Sequence, residues 1–220
     1  MKNFTKMLIV IIAITMATES YAQIFGIRAG LNLSNMLDKD DEGTNSSDFK
    51  MKPGFNVGPT VEFPINEMFS FESGLLLSTK GYKLSGKDSY EGETWEYKES
   101  INLLYLDIPL SGKAYFDFKG TKVYGAFGPY LGFGLSGKYK YEEPGDSDKE
   151  DIKFGSDKEK DDYKRLDYGL TIGAGVELNA IQIGLSYDLG LANISTYTDG
   201  GAKTSNRVLA LSVGYKFAGK

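Results

Sequence analysis

LDYGLTIGAGVELNAIQIGLSYDLGLAN, residues Leu166 to Asn193, decides the fold. Tyr168, Leu170, Ile172, Ala174, Val176 and Leu178 fall on one side of its first arm, and Asp167, Gly169, Thr171, Gly173, Gly175 and Glu177 on the other. After Asn179-Ala180 the alternation restarts, with Ile181, Ile183, Leu185, Tyr187 and Leu189 set against Gln182, Gly184, Ser186, Asp188 and Gly190. A period of two sustained over arms of this length means strands, and two residues between them mean a tight hairpin. A half-buried soluble sheet alternates in the same way. Arms of about ten residues joined by a minimal turn are also the repeating unit of a transmembrane β-barrel.

Outward from this hairpin the same period recurs. Strands are predicted over Ile24–Ser34, Gly54–Phe63, Phe69–Lys80, Ile101–Phe116, Val123–Ser136 and Arg207–Phe217, which with the hairpin makes eight. Alternation in the third is blurred by Leu76. Long polar connections, Asn35–Lys52, Gly81–Glu99, Gly137–Arg165 and Ile194–Asn206, alternate with short turns. An up-and-down barrel puts every short turn at one end and every long loop at the other, as bacterial outer-membrane barrels do. The expected fold is all-β: an eight-stranded antiparallel up-and-down transmembrane β-barrel, preceded by a cleaved signal peptide. A soluble lipocalin-like periplasmic carrier is also an eight-stranded barrel, but it should be polar outside and apolar inside. Here the polar set travels with the glycines, which suit a crowded interior.

The N-terminus reads as a signal. Lys2 and Lys6 precede an apolar run, Met7–Met16, too short to span a bilayer, and Ser20-Tyr21-Ala22 supplies small residues before a cut. Residues 1–22 are expected to be the signal peptide and 23–220 the barrel domain. The rest carries a net charge of about −6, once the +1 of the signal is taken from the −5 of the whole chain, which makes nucleic acid a poor partner. The chain has neither Cys nor His. That removes disulfides, thiol chemistry, the Ser-His-Asp triad and most zinc sites. No enzyme activity, metal or cofactor is expected. Gly at 27 residues and Tyr plus Phe at 28 match barrel strands and their interfacial girdles.

Pro59, Pro109 and Pro129 fall within strands, where each removes a ladder donor. If Phe116 pairs with Val123, Pro109 faces Tyr130 and Leu110 faces Pro129, so one shared bulge is expected there.

YLDIPLSGKAYF (Tyr105–Phe116), VYGAFGPYLGFGLSG (Val123–Gly137), FGIRAGLNLSNM (Phe25–Met36) and ALSVGYKF (Ala210–Phe217) are similar to the PorT-like outer-membrane β-barrel family of Bacteroidota. The resemblance covers nearly the whole chain after residue 22. It implies an eight-stranded barrel in the outer membrane of a Gram-negative bacterium, delivered by the barrel-assembly machinery and surrounded by outer-membrane lipid.

Inward charges sort by height. Arg28, Glu62, Glu72, Lys113, Glu177 and Lys216 lie within about four residues of the periplasmic turns or termini, three acids and three bases. An eight-stranded barrel is just wide enough for side chains to fill, and charges there must be paired or hydrated. A neutral ionic plug is expected. Asp107, Asp167 and Asp188 lie higher, without matching inward bases, and are expected to be hydrated near the outer mouth. Asp38–Gly43 copies the first half of an EF-hand loop, but Phe49 stands where the chelating Glu belongs. Residues 144–165 are expected to form a mobile surface loop. Tyr82, Trp95, Tyr97, Tyr139, Tyr141 and Tyr197 are the loop aromatics suited to contact an extracellular or envelope partner. The function expected is a small non-enzymatic outer-membrane barrel with a filled, charge-paired interior and loops for surface interaction. The alternatives are a narrow porin-like channel and the soluble carrier.

Overall fold

The computed structural model describes residues 23–217 apart from 45, 47, 91, 92 and 120. The signal peptide expected over residues 1–22 lies outside the described residues. Ten strands form one antiparallel sheet: β1 (Ile24–Lys39), β2 (Lys52–Pro64), β3 (Phe69–Gly74), β4 (Leu76–Tyr90), β5 (Glu93–Phe118), β6 (Thr121–Glu143), β7 (Asp146–Ile152), β8 (Leu166–Leu178), β9 (Ile181–Gly190) and β10 (Lys203–Lys216). β1 pairs with both β2 and β10, and β5 pairs with β6 as well as with β3 and β4, so the sheet closes on itself. β3 and β4 hold one register against β5 and are a single barrel strand interrupted at Leu75. β7 pairs only with the upper part of β6. The ring is therefore eight-stranded, and the opening hairpin turns at Asn179, whose φ is 54°.

The register fixes the barrel's shape. Following partners from Leu33 leads through Leu209, Tyr187, Ile172, Phe127, Gly112 and Phe71 to Phe63, whose neighbour Glu62 pairs with Ile24. The path thus returns to β1 about ten residues below its start. Ten residues of stagger over eight strands, at about 3.3 Å rise and 4.8 Å spacing, give a tilt of about 41° and a backbone radius of about 8 Å. The outward face is apolar. Val123, Phe127, Leu131, Phe133 and Leu135 are exposed along β6, and at this tilt they cover about 30 Å of axial rise, a bilayer's hydrocarbon thickness. Their inward neighbours Tyr124, Gly128, Tyr130, Gly132 and Gly134 are buried. Apolar-out and polar-in is the lipid-facing pattern and the reverse of a lipocalin.

The prolines are accommodated otherwise than expected. Pro109 does face Tyr130, but no register shift occurs there; the one shift between β5 and β6 lies between Leu104 and Tyr105. Gly58 and Gly128, each just before a proline, stand where the opposite strand comes very close. Leu75 O and Leu110 O lie over these glycines, 1.9 and 2.0 Å from where a Cβ would sit, an approach that only a residue without a side chain permits.

Three strands outrun the membrane. β4, β5 and β6 continue as an exterior sheet, with β7 added at its edge, through stretches expected to be loops. Outside the bilayer neither face of a strand needs to be apolar, so the alternation there is polar against aromatic. Residues 153–165 are likewise folded down onto the barrel mouth. Phe154 and Tyr163 bridge each other, and Tyr163 bridges Ser195.

Candidate functional site

The lumen is filled in three tiers. At the periplasmic end the structure brings together all six charges singled out from the sequence. Glu72 takes ion pairs from both Arg28 and Lys113. Glu62 lies 3.5 Å from Lys113 Nζ and 3.0 Å from Lys216 Nζ, and accepts from Tyr115 Oη at 2.8 Å. Glu177 pairs with Lys216 at 2.6 Å and accepts from Gln182 Nε2 at 2.8 Å. Gln182 Oε1 accepts from Lys113 Nζ at 3.2 Å, which ties the two halves together. The Lys113 ammonium also lies 4.7 Å from the centre of the Tyr124 ring. Strand parity carries all this: each residue projects inward, so a three-against-three set converges across the bore.

The cation of the second tier is not among the charges that the sequence singles out. Lys80, fully buried, sits 2.9 Å from Asp107 and 3.0 Å from Asp167. Its ammonium lies 4.7 Å from the Tyr105 ring centre and 4.5 Å from that of Tyr130. Tyr130 Oη and Asn206 Nδ2 donate to Asp167 at 3.2 and 2.9 Å. Asp107 and Asp167 are therefore paired, not hydrated at the mouth. The sequence does carry a signal, because Lys80 shares parity with Glu72 and Ser78, but it stands at the last position of the predicted strand, where parity alone does not assign a side. Asp107 and Lys113 are six residues apart on β5, so about 15 Å of axial rise separates the tiers. Between them lies a cavity of about 80 Å³, lined by polar side chains such as Asn56, Ser111 and Thr171 and by apolar ones such as Leu76, Pro109 and Ala126.

The third tier is apolar. Met36, Ile101, Leu103, Tyr105, Phe154, Ala192 and Ile194 form a buried cluster across the outer mouth, and Phe49, Tyr82, Tyr139, Ile152 and Tyr163 pack against it. Phe154 meets Tyr105 edge to face at 5.9 Å, and Phe49 stacks on Tyr82 at 3.7 Å. Burial, then the nearby Glu99, pushes the Tyr82 phenol up to about 12.

Only Tyr197 among the six aromatics lies in a loop, and it is exposed. Tyr82, Trp95, Tyr97, Tyr139 and Tyr141 stand on strands. Pairing of Tyr82 with Ile101, Ile101 with Tyr139, Gly86 with Tyr97, and Glu99 with Tyr141 puts these residues on one face of the exterior sheet. Tyr82 and Tyr139 belong to the cap. Higher up, Tyr97 and Tyr141 stack at 6.2 Å, Trp95 continues the same face of β5, and Gly86 leaves room for the Tyr97 ring.

A closed eight-stranded ring with an apolar outer belt and a charged, filled bore defines an integral outer-membrane β-barrel protein. Residues 21–196 match the family described as Outer membrane protein beta-barrel domain, and the chain belongs to that family. It lies in the outer membrane of a Gram-negative bacterium, among the lipids of that membrane. Solved structures similar to it include Ail, the attachment invasion locus protein of Yersinia pestis, in complex with the heparin analogue sucrose octasulfate: 18% identity, 89% of this chain and 99% of that one, TM-score 0.38. Neisserial surface protein A is similar at 14% identity over 88% of this chain and 97% of that one, TM-score 0.40. OprG from Pseudomonas aeruginosa is similar at 15% identity over 89% and 96%, TM-score 0.37. No curated protein matches the chain.

Proposed function

We propose that this protein is a non-enzymatic, non-conducting barrel that serves as a membrane-anchored platform for its exterior sheet. The observation that carries this reading is the sealed bore: two ionic tiers and an apolar cap lie in series within a ring of about 8 Å radius. A bore filled to this extent passes neither ions nor solutes. Trp95, Tyr97 and Tyr141, above the cap, are the residues that would meet an extracellular or envelope partner, with Tyr197 on a separate loop. Such large, stiff side chains bury much area at little entropic cost. Membership in the PorT-like branch, export by a signal peptide over residues 1–22 and insertion by the barrel-assembly machinery belong to the same reading.

Purified protein in planar bilayers is expected to give no stable current steps. Triple replacement of Trp95, Tyr97 and Tyr141 by Ala is expected to keep the folded band on unboiled gels and to remove binding of whole cells to their target surface. Regular single-channel steps would return the narrow channel to first place. Unchanged cell binding would move the contact surface elsewhere.

A further inference from the structure

Arg165 stands where lipid gives way to water. Its backbone carbonyl accepts from Gly134 N at 2.7 Å, and the next residue, Leu166, pairs with Phe133. Leu166 and Phe133 are both exposed at the top of the apolar belt. The Arg165 side chain is exposed too. Its guanidinium lies 6.0 Å from the centre of the outward Phe133 ring, and Nη1 donates to Gly134 O at 3.2 Å. The neighbouring Lys164 ammonium donates to Asn193 O at 3.4 Å. Two strands further round, Arg207 stands above the outward Leu209 of β10 and donates to Gly190 O at 2.8 Å. Among the described residues no carboxylate lies within ion-pair distance of any of these three cations. Backbone carbonyls hold the side chains in place but leave the charge unneutralised. At the edge of a hydrocarbon layer such a cation is stabilised by reaching an anion in the headgroup layer.

A second observation is the shape beside these cations. An open groove of about 640 Å³ adjoins Lys164 and Arg165, with Ser156 and Asn193 on its upper wall and the exposed Leu166 and Tyr168 on its floor. Among the described residues no acid lines it. The neighbouring groove shares Arg165 but is lined by Asp151 and Asp161, which would repel an anion. The first groove therefore has the polarity of an amphiphile, with cations and polar groups at headgroup level and an apolar floor continuous with the lipid-facing wall of the barrel.

We propose that this groove binds a phosphate-bearing lipid of the outer leaflet, with the phosphate between Lys164 and Arg165 and an acyl chain laid on Leu166 and Tyr168. One N–H of the Arg165 fork is taken by Gly134 O, and the others are left to meet two phosphate oxygens side by side. Lys164 adds a point charge from the adjacent position. A free phosphate ion would meet the same cations but leave the apolar floor uncovered, so the groove favours the lipid. The site also bears on the seal. Gly155 and Ser156, which line the groove, follow directly on Phe154 of the apolar cap, so a bound lipid braces the segment that closes the outer mouth.

The test uses the full chain after residue 22, folded in dodecylmaltoside micelles and titrated with diphosphorylated lipid A or with the same lipid stripped of its phosphates. A third arm adds inorganic phosphate as competitor, and bound lipid per chain is counted by native mass spectrometry. Wild-type protein should take up about one phosphorylated lipid, and the stripped lipid about tenfold more weakly or worse. At about fivefold per cation near a charged surface, Lys164→Gln should weaken binding about fivefold, and Lys164→Gln with Arg165→Gln about twenty-five-fold. Lys98→Gln with Lys149→Gln, on the exterior sheet, should change nothing. The boil-dependent gel shift shows that each variant is folded, and the single Lys164→Gln, which loses one long contact to Asn193 O, carries the test if the double variant does not fold. Equal binding of the stripped lipid, unchanged binding in Lys164→Gln, an equal loss in the exterior-sheet control, or displacement of the lipid by inorganic phosphate at comparable concentration overturns the site.

Discussion

Replacing Lys80 by Met keeps the stem and removes the charge. At an effective dielectric of about 20, each contact at about 3 Å represents about 5.5 kcal/mol of attraction between unit charges. Desolvation offsets much of that, so the pair itself contributes little net stability. Deletion of one partner is another matter, because Asp107 and Asp167 would remain buried and facing each other. The cost of stranding charges in this way is about 3–5 kcal/mol. That corresponds to roughly two to four decades in the unfolding equilibrium. Urea unfolding followed by far-UV circular dichroism reads it directly. Fluorescence does not, because the sole tryptophan, Trp95, stands on the exterior sheet. Lys80→Met combined with Asp107→Asn and Asp167→Asn should recover most of the loss, since both partners of Lys80 are then neutral. A Lys80→Met cost below about 1 kcal/mol, or no recovery in the triple variant, would refute the description of the upper tier as a dry, tightly paired centre.

Glu72→Gln leaves Arg28 and Lys113 without their shared partner; a destabilisation of about 3–5 kcal/mol is expected in the same urea assay. Gly128→Ala puts a methyl 2.0 Å from Leu110 O, backbone that cannot yield, and should abolish the heat-shifted band on gels. Gly125→Ala meets nothing within 4 Å and should leave the band intact. Tyr82→Ala removes the ring stacked on Phe49 and opens the cap, with an expected loss of about 3–5 kcal/mol, the range of large aromatic truncations. Tyr197→Ala, at an exposed loop position, should stay within about 0.5 kcal/mol of wild type.

Wherever lipid lies on one side and side chains fill the other, the sequence was readable. Period-two alternation located the eight barrel strands, the Asn179-Ala180 turn and the inward side of all six lower charges. Even the pairing of Pro109 with Tyr130 followed from a single assumed register. Two kinds of feature escaped. The exterior parts of β4, β5 and β6 have no lipid to face, so Lys83, Ser85 and Lys87 alternating with Tyr82, Leu84 and Gly86 resembled a loop. What makes them strands is pairing with a neighbour, which local composition does not reveal. Lys80 escaped because its partners Asp107 and Asp167 lie on strands 27 and 87 residues away, and only closure of the ring brings them to it. Residues 144–165 differ from the mobile loop expected for a related reason. Their charge is typical of a mobile segment, but Ile152, Phe154 and Tyr163 are enough to anchor them once a greasy mouth exists to receive them.

The step from barrel to exterior sheet turns on one extra residue. Tyr105 pairs with Gly134 but Leu104 with Ser136, so Leu135 is unmatched and the parity of β6 reverses. Below the shift, odd-numbered residues such as Phe133 face lipid. Above it Lys138 faces out and Tyr139 faces in. With no bulge the assignment would invert: Lys138 would enter the apolar cap and Tyr139 would face the water. A lysine in that cap would be a buried, unpaired charge, and the cap would lose a ring that packs on it. The bulge sits at the height where the outer surroundings change from lipid to water. It therefore lets one continuous strand satisfy two environments, with polar residues outside above the membrane and apolar residues outside within it. The seal at the outer mouth and the aromatic face above it both depend on that single shift.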